Sequence, residues 1–107
     1  MDYKNEFIRL SLSLCGEQDY KDSIKLKNHN IAMKKLGKLK AEMLRSGETE
    51  LLRELLFHND ERVQLNAASA CLGLFPGEAG ATLKRLRDST SDPTIAFSAE
   101  ILLKNSL

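Results

Sequence analysis

The chain has 107 residues and a net charge of +1, because 16 lysines and arginines nearly balance 15 aspartates and glutamates. This length fits one domain, and the balance argues against a uniformly basic nucleic-acid binder and an acidic disordered tail. Two cysteines cannot form a disulfide framework, and the first residues lack a cationic stretch followed by an apolar run. We therefore expect a single cytoplasmic domain over residues 1–107 that does not enter a membrane.

Helix is the expected secondary structure throughout. The chain has only two prolines, and its common residues Leu, Ala, Lys and Glu favour helix. The first predicted helix covers residues 3–15, followed by Gly16 as a stop, and residues 1–16 form an N-terminal cap. Its apolar residues share one helical face, and they are Tyr3, Phe7, Leu10 and Leu14.

The second predicted helix lies within residues 17–46 and ends near Arg45, before the turn residues Ser46 and Gly47. Its start is open among four residues that could cap it, namely Asp19, Asp22, Asn28 and Asn30. One apolar stripe runs along it and consists of Ala32, Leu36, Leu39 and Met43. We expect this stripe to face a core.

The opposite side of this helix is basic. Residues 21–45 carry eight cations against two carboxylates, a net charge of +6. The clustered cations are Lys27, Lys34, Lys38 and Arg45. Three interpretations are open: a solvated helix surface, a surface that steers an acidic protein partner, and a nucleic-acid contact. The chain has no tryptophan, and we expect its tyrosines and phenylalanines mostly on apolar faces, which argues against stacking on an extruded base.

Four shorter helices are predicted after this, over residues 49–57, 60–74, 79–87 and 92–105. Asp60 and Asp92 are suited to cap the second and fourth of them, and Pro93 suits a first helical turn. The glycine-rich segment over residues 77–80 lacks the lysine of a phosphate-binding loop, so we expect an ordinary turn between helices there.

The last four helices form two similar pairs, over residues 47–76 and 77–107. At a constant offset of 32, Val63, Ala67, Ala70 and Cys71 match Ile95, Ala99, Leu102 and Leu103. At an offset of 31, Leu52 and Leu55 match Leu83 and Leu86. A single helix pair cannot bury its apolar face, so adjacent pairs stack and share a core. The pattern predicts an all-α fold, a short right-handed α-α superhelix of about six helices.

The second helix of each pair resembles the inner helix of a HEAT repeat. It opens Asp-x-x-Val or Asp-x-x-Ile with Ala four residues later, and the tetratricopeptide signature is missing. The family usually places Arg directly after the Val, whereas the chain has Gln64 after Val63 and Ala96 after Ile95. We therefore expect Asp60 and Asp92 to be helix caps and not parts of an Asp–Arg ladder between repeats.

Residues 28–87 resemble a family of small bacterial HEAT-like domains of unknown function. The likeness is carried by residues 30–45 (NIAMKKLGKLKAEMLR), the Leu51-Leu52 and Leu55-Leu56 pairs, and the segment from His58 through Val63 to Pro76. Some members of this family are considered immunity proteins against polymorphic toxins. The resemblance implies a helical binding module, and the family has no established catalytic residues to carry over.

Neither an enzyme site nor a metal or cofactor site is predicted. The candidate ligands Cys15, His29, His58 and Cys71 show no metal-binding spacing, and Cys71 lies on an apolar stripe. The pairs Glu48 with Glu50 and Asp60 with Glu61 are acids at helix starts, where they favour the helix dipole.

The candidate partner-binding residues lie on the basic helix and around the loop over residues 58–62. They are Lys27, Lys34, Lys38, Arg45, His58, Arg62 and Gln64. On the helix after that loop, Arg62, Gln64 and Ser69 are expected to point away from the core. The first hypothesis is a non-enzymatic protein-binding module, most concretely an immunity-type inhibitor that covers a partner's active surface. The alternatives are a nucleic-acid-binding protein that uses residues 21–45, and a structural module; the chain itself is expected to be a monomer or a homodimer.

Overall fold

A computed structural model of the chain describes residues 2–12 and 23–105, with side chains in the second range described from Asn30 onward. These residues contain six helices and no strand, which confirms the all-α prediction. The helices are α1 (Tyr3–Leu12), α2 (Ser23–Arg45), α3 (Thr49–Leu55), α4 (Glu61–Cys71), α5 (Pro76–Ser89) and α6 (Pro93–Asn105). They divide between an N-terminal unit, Met1–Gly47, and a C-terminal unit, Glu48–Leu107.

The N-terminal unit is a pair of packed helices, α1 and α2. Phe7 and Leu10 of α1 are buried, as is the whole predicted stripe of α2, which comprises Ala32, Leu36, Leu39 and Met43. The hydroxyl of Tyr3 donates to Glu42 at 3.3 Å and so joins the two helices. The first predicted stripe is therefore confirmed as far as Leu10, and Leu14 and Gly16 lie outside the described residues.

The residue at which α2 begins decides between the longer and the shorter helix that the sequence allowed. The helix begins at Ser23, so the longer version is correct, although the two aspartates that could cap it lie outside the described residues. At the other end the chain turns at Gly47, whose φ of +76° is a left-handed conformation that suits glycine. The predicted turn after Arg45 is confirmed.

In the C-terminal unit, α4 has a central position, because it packs against α3, α5 and α6. Its buried side chains are mostly small, and they are Val63, Gln64, Ala67, Ala68 and Cys71. Small side chains let neighbouring helices approach closely from more than one side. The two helix pairs consequently share contacts through α4, as the repeat predicts.

Most of the matched positions of the repeat are buried in both copies. Leu52 and Leu83 are buried, as are Val63 and Ile95, and Ala67 and Ala99. The correspondence weakens toward the end of α6, where Leu103 is half-buried while its counterpart Cys71 is fully buried. The reason is position, because Cys71 lies on the central helix and α6 is the last helix of the unit.

Two helix starts in the C-terminal unit confirm their predicted caps, and one corrects the prediction. A side-chain oxygen of Asp60 accepts from the backbone N–H of Arg62 at 2.8 Å, and one of Asp92 accepts from that of Thr94 at 2.9 Å. The expected turn over residues 77–80 is wrong, because α5 already begins at Pro76. Proline is favoured in a first helical turn, and the carbonyl of Phe75 accepts the first helical hydrogen bond, from Ala79 at 2.9 Å.

We predict that Ala67→Leu lowers the free energy of unfolding by about 1–3 kcal/mol, because three extra carbons must enter the closely packed surroundings of α4. Ala81→Leu is the matched control, since Ala81 is exposed on α5 and the same change adds its carbons to solvent. Denaturant unfolding followed by circular dichroism measures both. Equal stabilities of the two variants would contradict the central packing of α4.

Candidate functional site

The predicted basic surface exists on α2. Lys34, Lys38 and Arg45 are all exposed, and at about 100° per residue they lie within about 40° of one another around the helix axis. Lys27 belongs to the same helix, but its side chain lies outside the described part. Among the described residues, no carboxylate forms an ion pair with these three exposed cations. Lys34, Lys38 and Arg45 thus form a row of three exposed cations on α2.

A second stripe of α2, next to this basic row, is apolar and also exposed. Met33 is 47% exposed and Leu44 is 42% exposed, and Gly37 and Ala41 lie between them along the helix. Spacings of four, four and three residues place these positions in one continuous row. We call the two rows together the outer face of α2; it consists of Met33, Lys34, Gly37, Lys38, Ala41, Leu44 and Arg45.

Several other charged groups described in the N-terminal unit are paired or partly buried. The guanidinium of Arg9 donates to Glu6 and, with a smaller contribution from Lys35, holds the pKa of that carboxyl below its ordinary value. Lys40 is half-buried near the inner stripe of α2, and this burial lowers its pKa. Glu42 is half-buried and accepts from Tyr3. Among the described cations of α2, Lys34, Lys38 and Arg45 lie on the outer face, whereas Lys35 is exposed outside it and Lys40 is half-buried.

The loop over residues 58–62 uses its polar groups to start α4. Nδ1 of His58 accepts from the backbone N–H of Asp60 at 3.0 Å. The guanidinium of Arg62 donates to both carboxylate oxygens of Asp60, at 3.1 and 2.9 Å. These hydrogen bonds from Arg62 lower the pKa of Asp60. His58 and Arg62 were both predicted to bind a partner, and the structure shows them engaged within the loop.

Gln64 was predicted to point away from the core, and this is wrong. It is only 7% exposed. Its Nε2 donates to the carbonyl of His58, and its Oε1 accepts from the guanidinium of Arg85 at 2.9 Å. Because α4 is contacted by three helices, its solvent-facing arc is narrower than that of a helix with one neighbour. Gln64 therefore holds Arg85, and little of its own surface is exposed.

A shallow groove opens beside this glutamine, with a volume of about 540 Å³. Phe57 and Arg85 are the prominent side chains on its walls, and Phe57 is 74% exposed. The expectation that the phenylalanines lie mostly on apolar faces is wrong for Phe57 and for Phe97, which are both largely exposed. Phe57 follows the last residues of α3, where the chain turns and the helical periodicity that would bury it no longer applies.

The two helix pairs are also joined by an arginine that the sequence did not single out. Arg53 of α3 donates to both carboxylate oxygens of Glu78 in α5, at 2.8 and 2.5 Å. Its guanidinium carbon lies 5.1 Å from the ring centre of Phe75, within the range of a cation–π contact. The hydrogen bonds from Arg53 lower the pKa of Glu78.

Cys71 is a core residue, as predicted. It is fully buried, and this burial raises the pKa of its thiol to about 11, so the reactive thiolate is disfavoured near neutral pH. The described side chains contain no group of three or more His, Cys, Asp or Glu residues that could hold a metal ion. Cys15 and the His29 side chain lie outside them. No helix in the described ranges combines the length and the apolar character needed to cross a membrane.

Comparisons with protein-family models, with curated proteins and with solved structures find no match to this chain. The HEAT-like resemblance, its right-handed superhelix and the immunity role that it implies therefore stay predictions. The candidate sites are therefore assigned from the residues within each unit.

We predict that Asp60→Ala lowers the free energy of unfolding at pH 7 by about 1 kcal/mol, because the start of α4 loses its cap. Asp60→Asn keeps a capping oxygen but loses the charge that Arg62 binds. The folded-state pKa of Asp60 is lowered, so its charge stabilises the fold at neutral pH, and that contribution is lost as the pH falls through the folded value.

The stability difference between the wild type and Asp60→Asn should therefore be present at pH 7 and shrink as the pH falls below the ordinary aspartate pKa and through the lowered folded-state pKa of Asp60. Denaturant titrations across this range measure it. Glu100→Gln is the control, because Glu100 is exposed on α6 and its ion pair with Lys104, 3.7 Å long, is of the surface kind that contributes little to stability. A difference that persists unchanged at low pH would show that the Asp60 charge does not stabilise α4.

Proposed function

We propose that this chain is a non-enzymatic protein-binding module, and that the outer face of α2 receives an acidic region of its partner. One observation carries the proposal. Lys34, Lys38 and Arg45 form an exposed row beside the exposed side chains of Met33 and Leu44, and no described carboxylate pairs with the row. Protein interfaces combine such apolar contacts with complementary charge.

The mixed character of this surface favours a protein over a nucleic acid. Binding to duplex depends on cations that contact phosphates, and binding to single strands adds aromatic side chains for the bases to stack on. The outer face of α2 has no aromatic residue and places Met33 and Leu44 beside the cations. Buried methionine and leucine side chains contribute to a protein interface and contribute little to phosphate contacts.

The second candidate surface is less suited to a partner. Arg62 and His58 hold Asp60 at the start of α4, and Gln64 is buried beneath Arg85. A partner that bound these groups would have to replace hydrogen bonds already made within the fold. The outer face of α2 requires no such exchange.

Steering and apolar contact would act in succession. The cations attract an acidic surface over roughly 8 Å at physiological salt and so raise the rate of encounter. Burial of Met33 and Leu44 then removes apolar surface from water and lowers the rate of dissociation. Inhibition of a partner by covering its active surface, the immunity-type role implied by the resemblance, is the specific form of this proposal. The buried thiol of Cys71, with its raised pKa, supports the non-enzymatic part.

We predict that Lys34→Glu/Lys38→Glu weakens partner binding at least about tenfold, mostly by slowing association, because the reversed charges repel an acidic surface. The full-length chain serves as bait for affinity capture, and the captured protein is then purified and its binding rates are measured. Lys84→Glu/Lys104→Glu is the matched control, since it reverses two exposed lysines on α5 and α6.

The competing function is examined with the same proteins. Titration of a DNA or RNA duplex at low and high salt should show only weak binding that does not compete with the captured protein. Tight duplex binding in the absence of any protein, abolished by Lys34→Glu/Lys38→Glu, would replace the protein-binding proposal by nucleic-acid binding. Equal effects of the two double variants would remove the special role of α2.

A further inference from the structure

We propose that the partner segment bound by this protein is an acidic amphipathic α-helix, which crosses the outer face of α2 at Gly37 and Ala41. The inference rests on the proposed function, because it names what occupies the same face. It depends on three features: the small residues in the middle of that face, the arrangement of its cations, and the like charge that a second copy of the chain would present.

The apolar row of the outer face has small residues in its middle and larger ones at its ends, and we call this arrangement the saddle. A Cβ atom added at Gly37 would meet nothing within 4 Å, so the space above this residue is open. Ala41, one turn further on, adds only a methyl group and is exposed. The larger side chains of Met33 and Leu44 stand at the two ends of the row, about 16 Å apart along the helix. Small residues between larger ones allow a second helix axis to approach closely.

The cations border this saddle along one edge. Lys34 and Lys38 are four residues apart, so they lie one above the other beside Gly37 and Ala41, and Arg45 continues the row two turns on. A helix that crosses the saddle and carries Glu or Asp with the same spacing can face this row while its apolar side covers Met33 and Leu44. An extended strand would leave its backbone groups unpaired against the side chains of a helix.

A second copy of this chain is a poorer occupant. Pairing two outer faces would bring two rows of cations into one contact, and like charges at an interface are unfavourable. The carboxylate described on α2, Glu42, is half-buried and bound to Tyr3, so it is not placed to compensate. Charge complementarity thus selects an acidic helix over a homodimer.

The probe is a fluorescent peptide of about 20 residues with leucines at helical spacing on one face and glutamates elsewhere. Two matched peptides serve as controls, one with lysines in place of the glutamates and one interrupted by a central proline, which prevents a continuous helix. We expect the acidic peptide to bind the full-length protein at least about tenfold more tightly than either control, as measured by fluorescence anisotropy. No preference for the acidic, uninterrupted peptide would overturn the inference.

Gly37→Leu examines the crossing point, because it fills the saddle and leaves every charge in place. We expect it to weaken binding of the acidic peptide and of the captured partner at least about tenfold. Gly77→Leu is the control, since Gly77 is likewise helical, exposed and open around an added Cβ. Should Gly37→Leu fail to fold, Gly37→Ala adds only one methyl group and should still weaken binding measurably, while improving the helix.

The two proposals fail in different ways. If Lys34→Glu/Lys38→Glu abolishes partner binding while Gly37→Leu leaves it unchanged, the protein-binding function stands and the helix-crossing inference is overturned. If neither variant alters partner binding, both are overturned. Light scattering that shows a stable dimer dissociated by Gly37→Leu would identify a second copy as the occupant and would also overturn the inference.

Discussion

Close packing around α4 is the constraint on which the C-terminal unit depends. Four helices that contribute small apolar stripes can share one core only if one of them accepts neighbours on several sides, and the alanines and Cys71 of α4 allow this. A large side chain in their place would separate the helices and reduce the contact of each with the others. The same constraint explains the burial of Gln64. In an isolated helix pair the face of α4 that carries Gln64 would be exposed to solvent, but here further helices cover it. Its amide then needs internal partners, and it finds them in the carbonyl of His58 and the guanidinium of Arg85.

Polar contacts fix the arrangement that apolar packing allows. Arg53 reaches from α3 to Glu78 on α5 and covers the ring of Phe75, so it connects the first helices of the two pairs. Thr90, just after α5, donates to Glu61 at the start of α4 at 2.9 Å. Both contacts are partly solvated, so their contribution to stability is modest. They instead fix the position of the helices relative to one another. A bidentate pair between an arginine and a carboxylate has a defined geometry, whereas contacts between alanines allow the helices to shift along each other.

The fold could be predicted from the sequence wherever a local period decided it. The stripe through Leu36 and Met43 and the repeat that pairs Val63 with Ile95 were visible because burial follows a spacing that a single helix imposes. The burial of Gln64 could not be predicted in this way, since it depends on how many helices surround α4.

The helix boundaries were harder to predict. Exposure of Phe57 depends on where α3 ends, and such boundaries have no periodic signal. The start of α5 at Pro76 was missed because the glycines after it indicate a turn, while the proline and the carbonyl of Phe75 favour a helix start.

Only part of the candidate site could be predicted from the sequence, because helical spacing does not show which residues stay exposed. Lys34, Lys38 and Arg45 could be predicted as a row because only helical spacing was needed, whereas the function of the row depends on what lies beside it. The sequence also contains the apolar row through Met33 and Leu44, but apolar residues on a helix are normally assigned to the core. The structure shows that the inner stripe of α2 fills the core and leaves Met33 and Leu44 partly exposed. Met33 and Leu44 keep 47% and 42% of their surface exposed beside these exposed cations. Repulsion among the cations slightly destabilises the isolated helix, and an acidic partner would remove this repulsion on binding. Under the proposed function, this relief of repulsion would add to the affinity of the complex.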